Sequence, residues 1–161
     1  AVGHIAHYQT RNRGTVGGSL AHADPAAELP GIAVACDGEI RVVGTGQLEH
    51  LLAARPQNVE WRRWVEYEDL PGELHRTGCA LGIFGTSDKT ARVIPNKVFQ
   101  ALACGTPVVT ADTPAARELL VHEESALLVP QGDPDALVEA LRRLAGDPAL
   151  ARKIAAGGAT A

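Results

Sequence analysis

Residues 94–112 read Ile-Pro-Asn-Lys-Val-Phe-Gln-Ala-Leu-Ala-Cys-Gly-Thr-Pro-Val-Val-Thr-Ala-Asp. Asn96 is a favoured N-cap residue and Pro95 fixes the chain entering it, so a helix is expected to start there. Val98, Ala101 and Leu102 recur at helical spacing and should face a core. Gly105 suits the left-handed position that ends a helix. The run Pro107-Val108-Val109-Thr110 is short, β-branched and apolar, as a strand buried in a parallel sheet requires. A helix feeding such a strand is the repeating unit of an α/β fold.

The first turn of this helix carries candidate chemistry. Lys97 and Gln100 are three residues apart and so share one side, expected to face solvent. A helix start offers unpaired backbone N–H groups, here those near Asn96 and Val98, and a partial positive charge of about half a unit. A cation beside such amides is a phosphate site. Gln100 is suited to hydrogen-bond a neighbouring hydroxyl. The same spacing also fits a solvated face that carries a Lys and a Gln by chance.

With Ala111-Asp112-Thr113-Pro114 and Arg117-Glu118-Leu119-Leu120 after it, this block resembles the C-terminal domain of retaining glycosyltransferases of the GT-B fold. The resemblance implies that the loop and helix hold the diphosphate of a nucleotide sugar, the donor, with no further cofactor. In that family the residue before Ala-x-Ala-x-Gly is usually a Glu that contacts the nucleotide ribose; here it is Gln100. A second family Glu lies eight residues earlier, where this chain has Arg92. The substitutions suggest a subgroup that sets Arg92 and Lys97 on the phosphates, as the candidate catalytic cations.

Working outward, strand and helix alternate from residue 41 onward. Residues 41–46 read as a strand running into a glycine turn, with a helix over 48–54. Residues 59–65 read as a strand whose Trp61 and Trp64 either pack or offer a stacking platform for a base. A helix over 67–76 takes Pro71 in its first turn. Residues 79–84 read as a buried strand. The polar loop 85–93 is longer than most strand-to-helix links. It lies at the carboxyl end of a strand, where open α/β sheets bind ligands. Gly85 and Thr86 are its candidate backbone donors, and Lys89 and Arg92 its charges. Pro114 opens a helix behind Thr113, and residues 126–129 form a strand. Asp133-Pro134 and Asp147-Pro148 open two more helices. The first is amphipathic, with Leu137, Val138, Leu141 and Leu144 on one stripe, and Gly146 ends it. The second should stop at Gly157 and Gly158.

The N-terminal part reads differently. Arg11-Asn-Arg-Gly-Thr-Val-Gly-Gly-Ser-Leu20 is glycine-rich and basic, suited to close backbone approach to phosphate or to a flexible turn. A short helix is expected over 25–29. Residues 32–36 and 40–43 are apolar runs about Asp37-Gly38, a hairpin signal. The run from Arg11 to Pro30 resembles the FAD-binding medium subunit of molybdenum hydroxylases of the carbon-monoxide and xanthine dehydrogenase type. That likeness implies FAD contacts from Thr15, Gly17, Gly18 and Asp24. The chain thus reads as a mosaic, with an FAD-subunit-like appendage over residues 1–43 and a nucleotide-sugar domain over 44–161. The fold expected is a Rossmann-like parallel α/β sheet with helices on both faces, plus an N-terminal hairpin and short-helix appendage.

Composition narrows the function classes. The 161 residues are 45% hydrophobic and 21% charged, which marks a globular chain. Aromatics are only 4%, so the core must be built from Ala, Val, Leu and Ile. A net charge of −4 argues against nucleic acid as partner. Cys36, Cys79 and Cys104 form no metal-type pair and suit a reducing cytosol, hence a cytoplasmic expectation. The histidines show no ligand spacing, so no metal is expected. No apolar run reaches membrane-spanning length. A lone half of a two-domain cleft exposes apolar surface, which favours a homo-oligomer.

Overall fold

The computed structural model describes residues 38–45, 49–54 and 57–161. Thr15, Gly17, Gly18, Asp24, the N-terminal short helices and the first arm of the expected hairpin lie outside the described residues. Two ladders of parallel strands organise the rest. In the first, β1 (Ile40–Val43) pairs with β2 (Val59–Arg62), Ile40 opposite Val59. In the second, the order is β3 (Ala80–Leu81), β4 (Val108–Ala111), β5 (Leu127–Val129). Each connection carries helix. A 3₁₀ segment, Glu49–Ala54, joins β1 to β2. A 3₁₀ turn at Tyr67–Asp69 and helix α1 (Leu70–His75), with Pro71 in its first turn, join β2 to β3. Helix α2 (Asn96–Ala103) links β3 to β4, and α3 (Pro114–Arg117) links β4 to β5. Helices α4 (Pro134–Gly146) and α5 (Pro148–Gly158) follow.

The alternation of side chains along the strands divides the core in two. Val108 and Leu128 pack with Leu74 of α1, with Val98, Ala101 and Leu102 of α2, and with Ala116 and Leu120. Val109, Leu127 and Val129 point the other way, against Leu137, Ala140 and Leu144 of α4 and Ile154 of α5. Helices therefore cover both faces of the β3–β4–β5 ladder, as the sequence pattern requires. A third, much smaller core holds Val42, Leu52 and Val59 under β1–β2. Trp61 packs beside it and donates its indole N–H to the Gly44 carbonyl at 2.9 Å, while Trp64 is exposed.

Several local expectations need correction. Residues 79–84 keep only two residues in the regular ladder. Beyond Leu81 the pairing continues irregularly: Gly82 N–H donates to the Val109 carbonyl at 2.8 Å and Ala111 N–H to the Ile83 carbonyl at 3.0 Å, while the Ile83 N–H turns to the Thr110 hydroxyl at 3.2 Å. Gly82 is required there, since a Cβ would sit 2.2 Å from Thr110 Oγ1. Helix α5 ends at Gly158, within the Gly157–Gly158 pair expected to stop it. They are packing glycines: a Cβ on Gly157 would lie 2.1 Å from the Glu124 carbonyl oxygen, and one on Gly158 2.7 Å from Leu102 Cδ2. Gly105, at φ +62°, does take the left-handed position after α2.

Candidate functional site

The carboxyl ends of β3, β4 and β5 send out three loops: residues 82–95, Asp112 with Thr113, and residues 130–133. Each has an anchor. Thr113 caps α3, its hydroxyl accepting from the Ala116 N–H at 3.0 Å. Asp133 caps α4 in the same way through Ala136 N–H at 2.9 Å. Asp112 binds Arg117 in a bidentate pair, Nε to Oδ1 at 2.5 Å and one terminal guanidinium nitrogen to Oδ2 at 2.6 Å. The guanidinium holds the Asp112 carboxyl below the usual carboxylate range. Arg117 is thereby committed to structure.

The 82–95 loop folds back on itself. The Gly85 carbonyl accepts from Thr90 Oγ1 at 2.7 Å and from Gln131 Nε2 at 2.8 Å. Gly132 N–H donates to the Phe84 carbonyl at 3.2 Å, which ties the β5–α4 turn to the same loop. Thr86 and Lys89 are exposed. Residues Thr90–Arg92 form a 3₁₀ turn that packs on α3. Arg92 is exposed and donates from Nε to the Asp88 carbonyl at 3.0 Å. Among the described residues it has no carboxylate partner.

Helix α2 begins beside this loop, and three expectations about it change. Pro95, not Asn96, is the N-cap, and no side chain caps the helix; Asn96 is its first residue. The restricted φ of proline suits the extended entry (φ −71°, ψ 146°), and it brings no acceptor. Val98 N–H is not free, because the tight first turn bonds it to the Pro95 carbonyl at 2.9 Å. The open donors are instead the Asn96 and Lys97 amides, for which no acceptor occurs among the described residues.

The largest change concerns Lys97, expected on a solvent face with Gln100. Lys97 is 7% exposed and Gln100 is half-buried. The reason is angular. At roughly 100° per residue, Val98, Ala101 and Leu102 define a buried arc, and Lys97 lies at its edge, one turn before Ala101. Gln100 falls just outside that arc. The Lys97 amine has no hydrogen bond or ion pair among the described residues. Burial alone pushes its pKa down to about 7. The arc was readable from the sequence; Gln131, whose bond to Gly85 spans 46 residues, carried no local signal. Among the described residues no His, Cys, Asp and Glu cluster suited to a metal occurs, and no helix is long and apolar enough to cross a membrane.

The constellation is thus an uncapped helix start, a buried amine at it with no partner among the described residues, and a pinned loop with exposed cations at Lys89 and Arg92. A family model described as glycosyl transferases group 1 matches residues 25–147. The chain is 34% identical over 139 residues to phosphatidyl-myo-inositol mannosyltransferase of Mycobacterium leprae (strain TN), covering 83% of this chain and 36% of that protein. It is 45% identical over 67 residues to the nicotine 6-hydroxylase medium subunit of Paenarthrobacter nicotinovorans, covering 42% of this chain and 19% of that one. Likenesses of both kinds expected from the sequence therefore fall on one polypeptide. Among solved structures, Anabaena Alr3699/HepE in complex with UDP and glucose superposes with a TM-score of 0.67 at 18% identity, over 86% of this chain and 39% of that one. The shared fold is the GT-B glycosyltransferase half-domain, a Rossmann-like α/β layer.

Proposed function

This chain belongs to the group 1 glycosyl transferases, and on that premise we propose that it is the donor-binding half of an enzyme that moves a sugar from a nucleoside diphosphate. One observation carries the reading: a buried amine, without a partner among the described residues, at the uncapped start of α2. Burying an ammonium is costly unless an anion arrives to pair with it. Helical side chains lean toward the N-terminus of their helix, which carries the Lys97 amine back along the first turn. The amides of Asn96 and Lys97 open at the same end. A diphosphate there would accept from both amides and from Lys97, with Arg92 reaching it from the loop. These are the interactions that stabilise a departing nucleoside diphosphate, whose charge grows as the glycosidic bond breaks. Gly85 and Thr86 would meet the phosphate or sugar through backbone N–H groups, and Gln100 would bond a hydroxyl. No metal enters this scheme.

Residues 44–161 form the donor domain in this reading. The 161-residue polypeptide spans about a third of its mannosyltransferase relative, and an acceptor is bound by a second domain in the GT-B architecture. Calorimetry with UDP and GDP, on the parent chain and Lys97→Met, tests the assignment. Binding by the parent, weakened at least about tenfold in the variant, is expected. No binding of either diphosphate, or equal binding by parent and variant, overturns it.

A second reading is favoured by the medium-subunit likeness. In it residues 1–43 are a flavin-binding fragment using Thr15, Gly17, Gly18 and Asp24. It requires a yellow preparation, or a rise in melting temperature with FAD; a colourless protein unmoved by FAD rules it out.

A further inference from the structure

We propose that Gln131 is a positioning residue for the donor: its side-chain amide sets the Gly85–Thr86 peptide so that the Thr86 N–H is held out toward the diphosphate. The inference rests on the donor-site reading above and adds a residue to it.

The argument is one of peptide geometry. In a trans peptide the carbonyl and the following N–H point in opposite directions within one plane. The Gly85 carbonyl is held from one side by Gln131 Nε2 at 2.8 Å and Thr90 Oγ1 at 2.7 Å. Its partner across the plane, the Thr86 N–H, is turned the other way and meets no acceptor among the described residues. Thr86 itself is exposed.

The two donors are not equivalent. Thr90 has a single hydroxyl proton, and the Ser87 carbonyl lies 2.6 Å from the same oxygen. Thr90 therefore divides its proton between two carbonyls, and Gln131 is the undivided donor. Gln131 is also well held. The next residue, Gly132, bonds Phe84 through its backbone N–H at 3.2 Å. It adopts φ +66°, and a Cβ there would sit 2.7 Å from Thr86 Cγ2. The β5–α4 turn thus lies directly on the loop it orients. The position needs a neutral donor: a carboxylate would face a carbonyl lone pair, and an aliphatic side chain would leave the carbonyl free to rotate.

The test uses the full chain, with Gln131→Glu and Gln131→Leu. Two readouts separate this proposal from the reading beneath it. First, UDP and uridine are titrated by calorimetry. The variants should bind UDP five- to tenfold more weakly and uridine unchanged, since only the phosphates meet the Thr86 amide. Second, ¹⁵N relaxation of the Thr86 amide is measured without ligand, and its order parameter should fall in both variants. An unchanged order parameter, or equal losses for UDP and uridine, overturns the role given to Gln131. Should the parent itself fail to bind UDP, the donor-site reading falls instead, while the ligand-free order parameter still decides whether Gln131 sets this peptide.

Discussion

Replacing Lys97 by Met retains most of the apolar stem and removes the amine, and the result should be a more stable protein whose stability depends less on pH. The magnitude follows from the burial. In the unfolded chain Lys97 stays charged up to about 10.5, and in the folded chain it titrates at about 7. Between those values the unfolded state binds one more proton than the folded state. Stability of the parent must therefore rise with pH across the window from about 7 to about 10.5. One proton sets a slope of up to ~1.4 kcal/mol per pH unit, and the full difference has a ceiling of ~5 kcal/mol. That is a large share of the ~5–15 kcal/mol that holds a domain together. Below pH 7 the buried charge costs its full amount, so Lys97→Met should exceed the parent most there, and the gap should narrow toward pH 10. Urea unfolding of both proteins at half-unit steps from pH 6.5 to 10 measures it. Taking the difference at each pH cancels the Cys and Tyr groups common to both chains. Parallel stability curves, or a variant less stable than the parent at pH 7, would refute the account of Lys97 as a buried, unpaired amine.

The same residue governs how donor affinity responds to pH. With a folded value of about 7, the charged form is scarce at pH 9, so UDP should bind on the order of 100-fold more weakly there than at pH 6.5. Lys97→Arg, whose guanidinium stays charged, should flatten that dependence even if its shape lowers affinity; a parent whose UDP affinity is level from pH 6.5 to 9 contradicts it. Gly157→Ala drives a methyl into the Glu124 carbonyl and should cost ~1–3 kcal/mol in thermal or urea unfolding. Gly72→Ala within α1 meets nothing within 4 Å and should instead stabilise by ~0.5–1 kcal/mol. Thr113→Ala removes the buried cap of α3 and should cost ~1 kcal/mol, with Thr113→Ser restoring most of it.

Much of this was legible locally. Val98, Ala101, Leu102, the β4 run and Gly105 all behave as their spacing and residue type demand, because helix period and strand burial are short-range patterns. The caps at Thr113, Asp133 and Asp147 could be read from the Pro that follows each. Several of the misreadings share an origin, contacts between segments far apart in the chain. Gly157 and Gly158 read as a helix end, and only the 123–125 turn laid against them shows that they are packing positions too. Residues 79–84 keep backbone bonds to β4 as far as Ile83, but the Ile83 N–H goes to the Thr110 side chain, a departure only the fold shows. Gln131 sits in a turn with no periodicity at all, and only the fold brings it to Gly85. Lys97 differs: its place beside Ala101 was open to view, but a charged residue is by habit assigned to the surface.

The division of the interior into unequal parts has a dynamic consequence. Among the described residues, Val42, Leu52 and Val59 form the buried cluster under β1–β2, against ten and seven buried residues in the two clusters around β4. On the apolar contact that the described residues give it, the β1–β2 ribbon is the segment expected to open by itself, on a shorter timescale than global unfolding. Amide hydrogens of Ile40–Val43 should accordingly exchange with deuterium well before those of Val108–Ala111. The loop ends that gather around α2 would ride on the slow, late-exchanging layer, so the recognition surface keeps its form while its neighbour breathes.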